Sequence, residues 1–136
     1  MKYLLDSNAW IGHLRQTAPS VTLRLKQNPP ADVFLCSVVI AELHFGALRS
    51  TPARRPTNLS LLTNLRQQFL SLPFDDRSAE HYGEIRAFLA GLGKPIGPND
   101  LMIAAIALAN GSTVVTHNTA EFSRVPGLLV EDWQIP

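Results

Sequence analysis

Three acids in this sequence stand where the residues around them give no reason for an acid. Asp6 closes the apolar run Tyr3-Leu4-Leu5. Its plain role would be to cap a helix, because aspartate is a favoured N-cap residue, although Ser7 or Asn8 could serve instead. Glu42 is the only acid between Asp32 and Asp75. At helical spacing its neighbours are Val38 and Phe45, a face that a solvated glutamate would not be expected to share. Burying it without a partner would be costly, which points to a cation. Asp100 follows Gly97-Pro98-Asn99 and precedes the wholly apolar run Leu101 to Ala109. As a cap or macrodipole partner it would contribute about 0.5–2 kcal/mol.

Should folding bring these acids together, two carboxylates about 5 Å apart at an effective dielectric near 20 would repel by roughly 3 kcal/mol. Either one of them takes a proton or a divalent cation binds. An all-oxygen site without cysteine suits Mg2+, with Mn2+ as a substitute, better than zinc. Such a cation binds a phosphate oxygen, lowers the pKa of a bound water and orients it for in-line attack, so phosphodiester hydrolysis is the reaction class indicated. His13, His44, His81 and His117 raise a metal-free route with two imidazoles as base and acid. Their scattered spacing favours surface or core roles, with His117 nearest the acids and able to touch a substrate. Arg49, Arg54 and Arg55 could hold phosphates through their guanidinium forks, though a solvated loop is the commoner setting for such a cluster. Trp10 is expected in the core.

The elements that must position these residues can be read from hydrophobic spacing. Tyr3-Leu4-Leu5 reads as a strand, and Ala9 to Leu14 as a helix beginning after Asp6-Ser7-Asn8. After the Asn28-Pro29-Pro30 breaker the order repeats, with Val33 to Cys36 a buried strand and Ser37 capping a helix that runs to about Leu48. Leu59 to Leu70 carries leucines at helical spacing, and Leu72-Pro73-Phe74 is a brief strand candidate. Ser78 to Leu92 is an amphipathic scaffold helix with Tyr82, Ile85, Phe88 and Leu89 on its apolar stripe. A turn rich in glycine and proline ends at Pro98 and leads to the helix Leu101 to Ala109, which Asn110-Gly111 terminates. Thr113 to Thr116 and Leu128 to Val130 close the chain as short strands. Alternating short strands and helices predict an α/β fold, a largely parallel central sheet flanked by helices on both faces. In such sheets ligands bind at the carboxyl ends of the strands, which is where all three acids are placed.

Composition sets the limits. The chain has 136 residues, expected as a single domain spanning 1–136, with 46% hydrophobic and 17% charged residues, which places it among globular proteins. Net charge is only +1, so no large basic field announces a nucleic acid. The lone Cys36 cannot build an internal disulfide framework, and a cytoplasmic setting is the simpler expectation. Met1 to Asp6 reaches an acid too soon for a signal peptide, and the apolar run of Leu101 to Ala109 is about half a membrane span.

Four segments carry a resemblance to a known family: Leu4-Leu5-Asp6-Ser7-Asn8; Ser37-Val38-x-x-Ala41-Glu42-Leu43-x-x-Gly46; Pro98-Asn99-Asp100-x-x-Ile103-Ala104-Ala105; and Val114-Val115-Thr116-x-Asn118-x-x-Glu121-Phe122. In this order they resemble the PIN-domain ribonucleases, in particular VapC-type toxins of type II toxin–antitoxin systems. The resemblance implies a PIN-like fold and a metal-dependent endoribonuclease with Asp6, Glu42 and Asp100 as catalytic and metal-binding acids and Asn8 and Thr116 as supporting polar groups. It further implies a cognate VapB-type antitoxin, structured RNA such as tRNA as substrate, and a homodimer within a larger toxin–antitoxin assembly. The closing segment Phe122 to Leu128 and Glu131-Asp132-Trp133 resembles the subgroup associated with initiator tRNA. The antitoxin is expected to lay a helix in an apolar groove near the first helices and to point a charged side chain at the acids. One departure stands out: many relatives carry a fourth acid where this chain has Asn118, so either Asn118 serves as a carbonyl ligand or Glu121, one helical turn on, reaches inward. With three firm acids, one tightly held metal is expected.

Rival readings exist. A metal-binding phosphoacceptor domain would want adjacent acids after the first strand and a lysine after a late one, and the chain has Asp6-Ser7-Asn8 and Thr116-His117-Asn118. A haloacid-dehalogenase-type phosphatase would want a second aspartate at Asn8. A catalytically inactive interaction domain would be free to lose an acid, and this chain keeps three.

Overall fold

The computed structural model describes residues 1–135. The chain begins with strand β1 (Tyr3–Leu5), helix α1 (Ser7–Leu14) and helix α2 (Pro19–Gln27), then repeats the alternation with β2 (Val33–Cys36), α3 (Ser37–Arg49), α4 (Arg55–Gln68) and β3 (Leu70–Leu72). Two further helices, α5 (Asp76–Gly91) and α6 (Pro98–Asn110), lead to β4 (Thr113–Val115), the single-turn α7 (Thr119–Phe122) and β5 (Val130–Glu131). The five strands form one sheet in the order β3-β2-β1-β4-β5, and every pairing is parallel. This is the α/β fold with a parallel sheet that the alternating pattern predicts.

Strand order reverses between β1 and β4, which pair from Tyr3 opposite Thr113 to Leu5 opposite Val115. Such a reversal opens a crevice at the carboxyl ends of the two strands, since the connections leave in opposite directions. Asp6 follows β1 directly and Thr116 follows β4 directly, so both sit at its floor. Inner strands read as continuous apolar runs because both faces are covered, and Val33 to Cys36 is buried at every position. Helix α6 is buried along most of its length, from Leu101 and Ile103 to Ala109. Its alanines let other elements approach closely. Trp10, fully buried, packs against Phe69 with the rings tilted and their centroids 5.0 Å apart, and belongs to the core as expected.

Several elements differ from the sequence expectation, each for a local reason. Helix α2 was not anticipated: it begins on Pro19, and only Val21 and Leu25 are buried, too few apolar positions to display a period. Helix α4 starts at Arg55, because Pro56 occupies the first turn, where its missing N–H costs nothing. The third strand is Leu70–Leu72 and stops before Pro73, which has no N–H to give a ladder. The last strand is Val130–Glu131, a shift toward the C-terminus. Ser37 is the first helical residue of α3 and not its cap; Cys36 holds that position and makes no side-chain cap bond. Gly111 ends α6 in the left-handed conformation (φ 62°), the geometry Asn110-Gly111 suggested.

Candidate active site

Asp6 caps α1 and lies at the floor of the crevice. Its side chain is only 4% exposed. One carboxylate oxygen accepts from the Ala9 N–H at 2.9 Å and so caps α1. The other accepts from the Thr116 hydroxyl at 2.6 Å. Thr116 in turn accepts from the Asn118 backbone N–H at 2.9 Å, which fixes the turn leaving β4. Burial raises the pKa of Asp6, partly offset by those two hydrogen bonds and reinforced by the charges of Glu42 and Asp132.

Glu42 is half-buried on α3, and Ser7 at the start of α1 donates to its Oε1 at 2.6 Å. The bond joins the first and second strand–helix units at their shared edge. Sequence reasoning considered Ser7 only as a cap; its role in holding Glu42 had no signal beyond its place beside Asp6.

Asp100 occupies the first turn of α6, where Gly97 is the N-cap and no side chain caps, so the capping explanation for this acid does not hold. Its carboxyl is pushed up to about 6, first by burial and then by the charges of Asp6, Glu121 and Glu42. The Asn118 side chain acts in the opposite sense. The amide of Asn118 donates to Glu121 Oε2 at 2.9 Å. Asn118 thus holds Glu121 through its NH2 group, and Glu121 faces the acid group from α7. Asn8 is exposed on α1, and among the described residues its side chain makes no hydrogen bond.

The sheet edge therefore gathers Asp6, Glu42 and Glu121 within electrostatic reach of Asp100, and Glu42 within reach of Asp6. Among the described residues no lysine, arginine or histidine forms an ion pair with any of these four. Nor, among the described residues, do three His, Cys, Asp or Glu side chains stand close enough together to hold a metal ion. The chemistry of the donor set fits a hard divalent cation all the same: oxygen donors only, mutual repulsion, and no basic side chain to relieve it. Beside the acids an open cleft of about 410 Å³ runs between α3 and α6, with Val38, Ala41, Phe45 and Met102 on its walls and Glu42 and Asn99 at its edge.

Of the histidines, His13 lies apart from this arrangement and His117 borders it. His13 pairs with Thr22 at 2.8 Å between α1 and α2, and burial lowers its pKa. His117 is held by Asp132 at 2.8 Å on the same edge as the acids. Asp132 was not among the expected site residues, although the sequence singled out the segment that contains it.

The model of the PIN domain matches residues 3–128. The chain belongs to the PIN-domain family. Within that family it is 39% identical over 133 residues to the tRNA(fMet)-specific endonuclease VapC of Shigella flexneri, covering 98% of each chain. The protein of the same name from Salmonella typhimurium is 36% identical over 133 residues, again with 98% of each chain covered. Among solved structures, VapBC2 from Rickettsia felis bound to a DNA fragment from its promoter superimposes with a TM-score of 0.90 at 32% identity, covering 98% of this chain and 99% of that one. This is a PIN domain of the VapC type, as the four sequence segments indicated.

Proposed function

We propose that this chain is a magnesium-dependent endoribonuclease toxin that cuts structured RNA, with tRNA and in particular initiator tRNA as substrate, and that a cognate VapB-type antitoxin silences it. What carries the reading is the acid group at the switch point, with Asp100 driven to about 6 by burial and by neighbouring carboxylates that, among the described residues, pair with no basic side chain. The full-length similarity to endonucleases named for tRNA(fMet) supports the choice of substrate. Similarity to VapBC complexes supports the antitoxin.

Asp6, Glu42 and Asp100 hold the metal in this reading, with Glu121 as the fourth acid and Asn118 as the amide that aims it. Magnesium bound there would supply positive charge to a phosphate oxygen and a water of lowered pKa. Asp6 enters the reaction already immobilised by the Ala9 N–H and the Thr116 hydroxyl. Ser7 limits the rotation of Glu42. Asp100, partly protonated near neutrality when no cation is bound, gives up its proton when one binds. The cleft between α3 and α6 is the apolar groove that an antitoxin helix would enter, placed beside α3 and not beside α1 and α2. The cytoplasm, where tRNA resides, is the compartment this function requires. No helix among the described residues is long and apolar enough to cross a membrane.

Digestion of total bacterial RNA with magnesium, with chelator and with the Asp6→Asn variant tests the reading. Magnesium-dependent cutting that the variant lacks is the expected result. Cutting that persists in chelator would transfer the chemistry to histidines; phosphorylation without cleavage would make the domain a phosphoacceptor; inertness of the wild type would leave an inactive interaction domain.

A further inference from the structure

A polyanionic substrate approaching an edge crowded with carboxylates needs hydrogen-bond donors and positive charge as well as a metal. The structure presents one such group that no acid of the site uses. Thr116 N–H donates to Glu131 O at 2.9 Å, extending the β4–β5 pairing by one residue past Val115 opposite Glu131. That register places His117 next to Asp132 at the carboxyl edge of the sheet. The imidazole Nδ1 meets Asp132 Oδ2 at 2.8 Å. The other Asp132 oxygen accepts from the Gln134 N–H at 2.9 Å, so both of its oxygens are engaged.

The two members of this pair differ sharply in exposure. The Asp132 side chain is 8% exposed and the His117 side chain 65% exposed. A buried carboxylate, fixed by a backbone amide, thus holds an imidazole whose other nitrogen is left for solvent or a ligand. The pair also belongs to the acid site's surroundings, because the charge of Asp132 is felt at Asp6 and His117 follows Thr116, the residue bonded to Asp6. A purely structural staple would be expected to bury both partners, since exposed ion pairs contribute little.

We propose that His117, oriented by Asp132, is an RNA-contacting residue whose Nε2–H donates to a phosphate oxygen beside the one being cleaved. As the imidazolium the ring donates from both nitrogens, Nδ1–H to Asp132 and Nε2–H to the phosphate. Asp132 is then a positioning residue, acting only through the imidazole. The inference rests on the nuclease reading for its substrate class and adds to it a phosphate contact supplied by the chain itself.

The test uses an initiator tRNA transcript and the full-length protein. RNA binding is measured by fluorescence anisotropy in the Asp6→Asn background, which keeps the transcript intact, with and without His117→Ala. Loss of one charge-assisted hydrogen bond is expected to weaken binding about tenfold to a hundredfold. The slope of log affinity against log salt should fall by roughly 0.7–0.9, which loss of a staple would not produce. In the otherwise wild-type enzyme His117→Ala should raise KM far more than it lowers kcat and leave the affinity for magnesium unchanged. His117→Arg should recover most of the binding, whereas His117→Gln, which can still bond Asp132, should not. That second pair answers the question even if alanine loosens the C-terminal segment. Binding and salt slope unchanged within twofold in both His117→Ala and His117→Gln would overturn the proposal, as would recovery by glutamine. Failure of the wild type to cut RNA in magnesium would instead sink the nuclease reading, and the anisotropy arm would still report on His117.

Discussion

Asp100 shows how a single carboxyl couples the site to stability. Its pKa is raised from 3.8 to about 6. Between those values the unfolded chain has released the proton while the native chain keeps it, so the contribution of Asp100 to stability is present below pH 3.8 and lost as pH rises through about 6. With solvent screening of this half-exposed group allowed for, the loss amounts to about 1–2 kcal/mol. Thermal melts in chelator from pH 4 to 7 should show the wild type losing stability relative to Asp100→Asn, and magnesium at pH 7 should restore it in the wild type only. A variant that tracks the wild type across the range would mean that neither burial nor the neighbouring acids raise the Asp100 pKa. Thr116 makes a second case. Its hydroxyl donates to Asp6 and accepts from the Asn118 N–H, so Thr116→Val keeps the shape and leaves both partners unsatisfied. The expected cost is about 1–3 kcal/mol in denaturant unfolding, together with a further rise in the pKa of Asp6 and a loss of RNA cleavage.

At the scale of elements, the connection from α1 to α2 is built on one close approach. A Cβ on Gly12 would stand 2.8 Å from the Ala18 Cβ, which real side chains do not tolerate. Gly12→Ala gains about 1 kcal/mol of helix propensity but incurs an overpacking cost of about 1–3 kcal/mol, so a net loss of stability is expected in urea titration. Increased stability would show that α2 moves aside freely. This junction is also where the sequence was hardest to read. Strands with apolar residues on both faces, such as Val33 to Cys36, and the apolar helix after Asp100 declare themselves, because burial on all sides leaves a continuous run. Helix α2 buries only two side chains and has no such signature. That Asp6, Glu42 and Asp100 share one edge of the sheet was legible because acids stood among apolar neighbours. The bonds from Ser7 to Glu42 and from His117 to Asp132 were not, since they depend on strand register, which no local pattern encodes.

The whole molecule combines a net charge of +1 with a carboxylate-lined edge, so under the proposed function an antitoxin and an RNA would have to meet it in different ways. RNA would reach the acids through a cation and phosphate-binding groups, whereas a protein partner could use the apolar cleft between α3 and α6. Phe45 stands at that cleft, is 61% exposed, and contributes nothing to the buried core. An exposed aromatic beside a cleft lacks the water-excluding neighbours that would make it stabilising in the free protein, and it gains them only when something covers it. Phe45→Glu should therefore leave folding unchanged and, although the added carboxylate beside Glu42 slows RNA cleavage somewhat, weaken neutralisation by the co-expressed antitoxin by about 2 kcal/mol or more, as loss of a buried anchor does. Growth after induction, with and without the neighbouring reading frame, reads the outcome: the variant should stay toxic where the wild type is silenced. Full neutralisation of Phe45→Glu would place the antitoxin on another face and leave the cleft to the RNA.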